Sequence, residues 1–368
     1  MEAIFSAELS SICMAVYYLS KDKQAELAQI AQSIATPGKG ILAADESAGI
    51  IESRFSPMNI QNNEENRRYY RQLLFRTKEC SQYLSAIILC HETFYHKTDD
   101  DEMVFPRVLK DLGILSGITV DRGLIVLAGT DNETITQGLD GLEERCREYK
   151  KNGAQFAKWR ALLRIAPNCP SQLAMNENAS KLARYASICQ QCGLVPIVEP
   201  EVSLEGDHDL EECQRVTEQV LSTVYKALCD HHVYLEGTLL KPNIVTPGAT
   251  CSKKYSIEQI AEATVIAFRR TVPTAVPGIM FLSGGHNEEN STIYLNAINR
   301  VPLYKPWTLS FSYGRALQTS VLRAWKGNKS NSEQARKEFM RLTKVKEIRR
   351  DNTNIVLIFS YSKMVWHH

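Results

Sequence analysis

The chain has 368 residues, 44% hydrophobic and 23% charged, an ordinary globular composition in a chain long enough to bury a large core without covalent staples. Lys plus Arg number 43 against 42 Asp plus Glu, so no global positive field exists to attract nucleic acid. No apolar run approaches the roughly 18 residues a membrane helix needs; the longest candidates, residues 12–19 and 355–359, are too short.

Residues 1–11 contain Glu2 and Glu8 and no Lys or Arg, so the positive region of a secretory signal is missing. After a helical pattern at 21–34, short β-rich runs alternate with longer amphipathic stretches. Strands are predicted at 40–44, 86–89, 117–120, 156–163, 195–199, 234–241, 278–282 and 308–312. Helices are predicted between and after them at 64–76, 137–151, 170–192, 209–231, 257–270, 288–299, 314–325 and 332–349. Strands alternating with helices imply parallel pairing through right-handed crossovers, and eight such units close into a (β/α)8 TIM barrel. The region around the second and third strands is the least regular, because residues 123–127 also read as a strand. No Pro-, Gly- or Ser-rich linker divides the chain, so the expected organisation is an N-terminal extension (1–19), one barrel domain (20–345) and an atypical C-terminal tail (346–368). The tail begins basic, from Arg341 to Arg350, then turns apolar and aromatic. It reads either as a solvated final helix with a partly packed end or as an amphipathic surface-binding element.

The ten cysteines are scattered, which fits a reducing compartment and a cytoplasmic location. Cys189 and Cys192 have C-x-x-C spacing, but lie in a helical pattern with no second Cys/His pair nearby. Asp230, His231 and His232 precede a strand as adjacent residues and cannot jointly chelate. No spaced set of His, Cys and carboxylates suggests a metal, and none is expected.

A barrel carries its chemistry at the carboxyl ends of its strands. Those ends hold Asp45, Lys158 and Arg160, Glu199 and Glu201, Lys241, Ser283-Gly284-Gly285, and Ser312 to Arg315. Lys158/Arg160 and Glu199/Glu201 are i, i+2 pairs, so each pair faces one side of its strand. Inward charges are costly unless they pair or work. One could be a structural ion pair, but two lysines and several carboxylates from different strands point to carbonyl chemistry. A lysine in a crowded cationic site has its pKa pushed down, which frees the amine as a nucleophile. Lys241 is the candidate, with Lys158 as its cationic neighbour; the plainer reading is a snorkelling surface lysine. An imine would make a ketone an electron sink, with Glu199 or Asp45 moving protons. Ser283-Gly284-Gly285 and Gly314-Arg315 follow strands seven and eight, where barrels bind phosphate through backbone N–H groups.

These stretches resemble class I fructose-bisphosphate aldolases, the Schiff-base, metal-independent kind. The resemblance is carried by Gly38-Lys-Gly-Ile-Leu-Ala-Ala-Asp-Glu-Ser47, Glu64-Glu-Asn-Arg-Arg68, Gln137-Gly-Leu-Asp140, Phe156-Ala-Lys-Trp-Arg160 and Ala183-Arg-Tyr-Ala-Ser-Ile-Cys-Gln190. It continues through Val195-Pro-Ile-Val-Glu-Pro-Glu201, Tyr234-Leu-Glu-Gly-Thr-Leu-Leu-Lys-Pro-Asn243, Phe281-Leu-Ser-Gly-Gly285 and Phe311-Ser-Tyr-Gly-Arg-Ala-Leu317. It implies that Lys241 forms the imine, so that no cofactor is needed beyond that covalent bond to substrate. It further implies that Glu199 dehydrates the carbinolamine, and that Asp45 takes the C4 hydroxyl proton with Lys158 assisting. Ser283, Gly284, Gly285, Ser312, Gly314 and Arg315 would hold one phosphate. Ser47 and Arg54 match positions near the other end of the substrate, and Glu201 joins the substrate-binding set. Members of the family are usually cytosolic homotetramers of glycolysis and gluconeogenesis, and some bind the cytoskeleton.

Three departures stand out. Thr119 lies where the family pattern has an active-site lysine, Ile50 replaces a hydroxyl residue, and the chain ends Val365-Trp-His-His368 rather than in a flexible arm with a terminal Tyr. The family-like start falls near Met14. Two readings follow: a working aldolase splitting fructose 1,6-bisphosphate, with turnover lowered by the departures, or a non-catalytic paralogue kept as a binding or scaffold protein.

Overall fold

A computed structural model describes residues 19–345. The expected C-terminal tail and all but Leu19 of the expected N-terminal extension lie outside the described residues. In chain order the strands are β1 (Gly40–Ala44), β2 (Leu84–Leu89), β3 (Leu115–Thr119), β4 (Leu124–Val126), β5 (Thr134–Thr136), β6 (Phe156–Leu163), β7 (Val195–Val202), β8 (Leu239–Leu240), β9 (Gly278–Phe281) and β10 (Thr308–Tyr313). Eight of them close the expected parallel barrel in the order β1-β2-β3-β6-β7-β8-β9-β10, while β4 and β5 form a separate antiparallel hairpin.

Around the barrel run α1 (Lys21–Ile34), α2 (Ala48–Phe55), α3 (Glu64–Phe75), α4 (His91–Tyr95), α5 (Phe105–Asp111), α6 (Leu142–Lys151), α7 (Gln172–Gln191), α8 (Leu210–Asp230), α9 (Ile257–Thr271), α10 (Glu288–Arg300), α11 (Arg315–Trp325) and α12 (Ser332–Val345). The strands of the barrel are largely buried on both faces, which is why most of their residues are apolar. Strand alternation sorts the two faces. Ile41, Ala43, Ala86, Ile88, Val195, Ile197, Leu239 and Met280 fill the lumen, whereas Leu42, Ala44, Ile87, Leu89, Trp159, Val198, Leu240 and Phe281 pack outward beneath the helices. Leu27, Ala31 and Ile34 of α1 join the lumen cluster. The Ile34 carbonyl accepts from Ser85 Oγ at 2.6 Å, at the start of β2. Thus α1 plugs the amino-terminal end of the barrel and leaves the carboxyl end for polar side chains.

Two of the predicted elements are markedly shorter than the sequence pattern. The expected strand at 234–241 reduces to Leu239–Leu240, because Leu235–Gly237 turns in a 3-10 helix. Gln190 Nε2 donates to the Tyr234 and Gly237 carbonyls at 2.7 and 3.1 Å, and Tyr234 N donates to Gln190 Oε1 at 2.9 Å, so a side chain does there what a sheet ladder would. The expected helix at 137–151 begins only at Leu142. The preceding residues complete the β4–β5 hairpin, with Gln137 N donating to Gly123 O and Arg122 N to Gln137 O, both at 2.9 Å. Among the described residues, no helix is long and apolar enough to cross a membrane.

Candidate active site

Parallel pairing brings the strand ends into register. Thr119 of β3 is level with Lys158 of β6, and Arg160 is level with Glu199 of β7. Lys241 directly follows β8, and its backbone N–H still donates to Val198 O at 2.8 Å. Asp45 directly follows β1. The carboxyl mouth of the barrel therefore collects two lysines and several carboxylates.

Glu199 stands at the centre. Its Oε1 is 3.0 Å from Lys241 Nζ and its Oε2 is 3.5 Å from Lys158 Nζ. Lys158 Nζ also lies 2.9 Å from Asp45 Oδ2 and 3.7 Å from Asp121 Oδ2. Lys158, Glu199 and Lys241 are all buried, at 6, 3 and 5% exposure. The sequence reading made Lys158 the cationic neighbour of Lys241; in the structure a carboxylate, Glu199, contacts both amines. A single acid can thus exchange protons with the Lys241 amine while remaining neutralised by Lys158.

Burial alone would push the Asp45 carboxyl up. The charges of Lys158 and Lys241 outweigh it and hold the pKa at about 2, below the ordinary 3.8. The same contacts act on Lys158. Burial pulls its amine down, but Asp45, Glu199 and Asp121 together raise it well above the ordinary lysine range. Asp45 is accordingly a carboxylate and Lys158 a cation at any physiological pH.

On the other side of Lys241 lies an anion cradle. Gly284 and Gly285 have φ of +51° and +95°, a backbone that side chains with a Cβ resist. His286 N closes the turn onto Ser283 O at 2.8 Å. Arg315 reaches this loop, since a Cβ on Gly285 would lie 3.7 Å from its Nη2. Gly314 precedes α11 without any side-chain cap, so the first N–H groups of that helix face the cradle. Ser312, level with inward-facing Ile41, is 1% exposed, and its Oγ has no hydrogen-bond partner. His286 sits at the edge, where burial and then the Arg315 charge lower its pKa to about 4.

The structure sets the remaining predicted residues around this centre. Glu201 is bound by Arg160 Nε at 2.6 Å. Ser47 caps α2, its Oγ accepting from Ile50 N at 3.4 Å, which leaves Ile50 on the exposed side. Arg54 is paired with Glu46, and a Cβ on Gly314 would lie 3.7 Å from its Nη2. It therefore stands beside the cradle formed by Gly314.

Several residues carried no role in the sequence reading. Asp121 faces Lys158 and also accepts from Thr119 Oγ1 at 3.2 Å and Arg160 N at 3.3 Å. It lies two residues beyond Thr119, so strand alternation could have found it. Glu46 is buried between Arg54, Arg71 and Gln318, whose Nε2 donates to Glu46 Oε1 at 2.8 Å and to Ala43 O at 2.9 Å. That network joins residues up to 275 positions apart, and no local pattern announces it. Among the described residues, no group of three or more His, Cys, Asp or Glu is placed to hold a metal ion. Cys189 of the C-x-x-C pair is buried, with its Sγ 3.8 Å from Cys146 Sγ.

The family profile of class I fructose-bisphosphate aldolase matches residues 26–351. The chain is 61% identical over 327 residues to fructose-bisphosphate aldolase C of Mus musculus, covering 88% of this chain and 89% of that protein. It is 60% identical over 324 residues to fructose-bisphosphate aldolase B of Homo sapiens, with the same shares covered. Among solved structures it is similar to the fructose-bisphosphate aldolase of Plasmodium falciparum, crystallised with TRAP and a small-molecule inhibitor. That match has a TM-score of 0.88 and 48% identity, over 89% of this chain and 95% of that one.

Proposed function

The chain belongs to the class I fructose-bisphosphate aldolase family, and from that premise we propose that Lys241 is its imine-forming amine, worked by Glu199, Asp45 and Lys158 within one domain over residues 20–345. The reaction is the reversible cleavage of fructose 1,6-bisphosphate to dihydroxyacetone phosphate and glyceraldehyde 3-phosphate. The neutral amine adds to the C2 ketone. Glu199, 3.0 Å from Nζ, gives a proton to the departing hydroxyl as the carbinolamine becomes an iminium. The iminium draws electrons from C3–C4 as Asp45 removes the C4 hydroxyl proton. The aldehyde leaves, and protonation of the remaining enamine followed by hydrolysis frees the amine. Lys158, 2.9 Å from Asp45, keeps that base ionised. Ser283, Gly284, Gly285, Ser312, Gly314 and Arg315 hold the ketose phosphate beside Lys241. Glu201 borders the site through Arg160, and Ser47 and Arg54 border it through α2.

The observation that carries this reading is the Lys241–Glu199–Lys158–Asp45 chain of buried contacts next to a positive-φ glycine loop. Structural ion pairing alone does not require two lysines on one carboxylate beside an anion cradle. The test is imine trapping. The protein is incubated with dihydroxyacetone phosphate, reduced with borohydride and mapped by peptide mass. An adduct on Lys241 is expected. No adduct from folded protein would end the reading and leave a barrel kept for binding.

The protein acts in the cytoplasm as a homotetramer. Free thiols at all the described cysteines are consistent with that compartment. Ile125 and Val126 of the β4–β5 hairpin, 44 and 59% exposed, and Leu173, 44% exposed, are large apolar side chains left at the surface, as subunit contacts would leave them in a single chain. Light scattering on a size-exclusion column should give four times the chain mass, and a monomer would remove this part of the proposal.

A further inference from the structure

We propose that Cys146, Cys189 and Cys192 form an oxidisable thiol cluster, in which a peroxide entering at Cys192 closes a reversible disulfide between Cys192 and Cys146. The cluster lies beside the start of β7, at the end of the barrel opposite the mouth, and takes no part in the imine chemistry.

The C-x-x-C spacing of Cys189 and Cys192 has no second Cys/His pair near it in the sequence; the fold brings a third cysteine from another helix. Cys146 lies inside α6, while Cys189 occupies the last turn of α7 and Cys192 follows as its capping residue. Leu194 N donates to Cys189 O at 2.9 Å as the chain turns into β7. Cys146 Sγ is 3.8 Å from Cys189 Sγ, and it also shares a hydrogen bond with Cys192. Cys146 is thus the sulfur common to both contacts. A buried cysteine usually serves as a small apolar side chain, and one alone would pass as such. Three sulfurs from two helices in a hydrogen-bonded row go further, because sulfurs already in contact have the least distance to travel to the ~2 Å of a disulfide bond.

Exposure sets the order of events. Cys146 and Cys189 are fully buried, whereas Cys192 is 8% exposed, so a small oxidant meets Cys192 first. Hydrogen bonding to Cys146, and then burial, raises the Cys192 thiol above its ordinary value, while the nearby Arg147 charge pulls the other way. A second cation flanks the entrance, since a Cβ on Gly193 would lie 3.6 Å from Lys150 Nζ. The resting sulfurs are therefore protonated, and the bridge answers sustained oxidant rather than brief contact.

The chemistry balances in two steps. The Cys192 sulfur, having lost its proton, attacks one peroxide oxygen. An S–O bond forms as the O–O bond breaks, and the leaving hydroxide takes up that proton as water. The Cys146 sulfur then attacks the Cys192 sulfenic acid; the S–S bond forms, the S–O bond breaks, and a second water leaves with the Cys146 proton. Two thiols lose two electrons and two protons, and the peroxide is reduced to two waters.

In the experiment the full-length protein is treated with hydrogen peroxide near neutral pH, at concentrations raised until exposed Cys229 is oxidised. Remaining thiols are alkylated in denaturant, and the digest is mapped by mass without reduction. A peptide linking Cys146 to the segment of Cys189 and Cys192 is expected, with fragment ions placing the bond on Cys192 and dithiothreitol removing it. Cys192→Ser should lose this link and Cys189→Ser should keep it. Oxidised Cys229 without the link overturns the proposal, as does a bond placed on Cys189 or a link undiminished in Cys192→Ser. If a variant does not fold, the fragment ions of the wild type decide.

Discussion

Lys158→Met isolates what the central cation does. In the wild type the Asp45 carboxyl is held at about 2 instead of 3.8, and at 1.36 kcal/mol for each factor of ten this contributes about 2 kcal/mol to the folded state at neutral pH. The methionine also strips a cation from Glu199 and Asp121, and removing one partner of a buried ion pair typically costs 3–5 kcal/mol. The variant is therefore expected to lose about 3–5 kcal/mol in chemical unfolding at pH 7. The sign of the pH dependence follows from the depressed pKa. The folded-state value lies below the unfolded one, so the Asp45 contribution is complete above pH 4 and disappears as pH falls toward 2. The gap between wild type and variant should accordingly narrow by about 2 kcal/mol across that range. Without the lysine, Asp45 loses the nearest charge that opposes its burial, so the acid limb of the kcat profile should also move to higher pH. A loss below about 1 kcal/mol at pH 7, or a gap that stays constant on acidification, would refute the assignment of Lys158 as the charge that keeps Asp45 ionised.

Three further outcomes separate binding from folding. Ser312→Ala removes a buried hydroxyl that has no partner, so the unfolding midpoint should stay within about 1 kcal/mol of wild type while affinity for dihydroxyacetone phosphate, read by calorimetry, falls roughly tenfold. Gly284→Ala forces a Cβ onto φ +51° and within 2.8 Å of Leu282 Cδ1. It should raise KM by displacing the cradle and cost about 1–3 kcal/mol in thermal unfolding. An unchanged KM would place the phosphate elsewhere. Leu27→Ala hollows the plug under the lumen, where Leu27 is fully buried. It should cost about 2–5 kcal/mol in chemical unfolding and leave KM unaltered, because the plug lies at the end of the barrel opposite the mouth.

How much of this was legible in the sequence depends on how local each cause is. The barrel was, because β-rich runs and amphipathic stretches alternate eight times, and each run is short-range information. Asp45, Lys158, Glu199 and Lys241 were legible as site candidates for a related reason: a polar residue ending an apolar strand breaks the burial pattern, and alternation says which face it takes. The two-residue strand at Leu239–Leu240 was not, since the apolar run before Lys241 looks continuous and only Gln190, 44 residues away from Tyr234 in the chain, satisfies the backbone of the 3-10 turn. Short helices such as α2, α4 and α5 make too few turns for a period to emerge. The partnering of charges was the least legible layer. Sequence alone made Lys241 and Lys158 mutual neighbours, and the family resemblance set Arg54 near the other end of the substrate without naming its partner. The folded chain inserts Glu199 between the lysines and ties Arg54 to Glu46 beside Gly314. A strand fixes which residues look into the lumen, but which of them touch depends on side-chain reach across it. The sequence therefore names the groups at the mouth more readily than it orders their proton transfers.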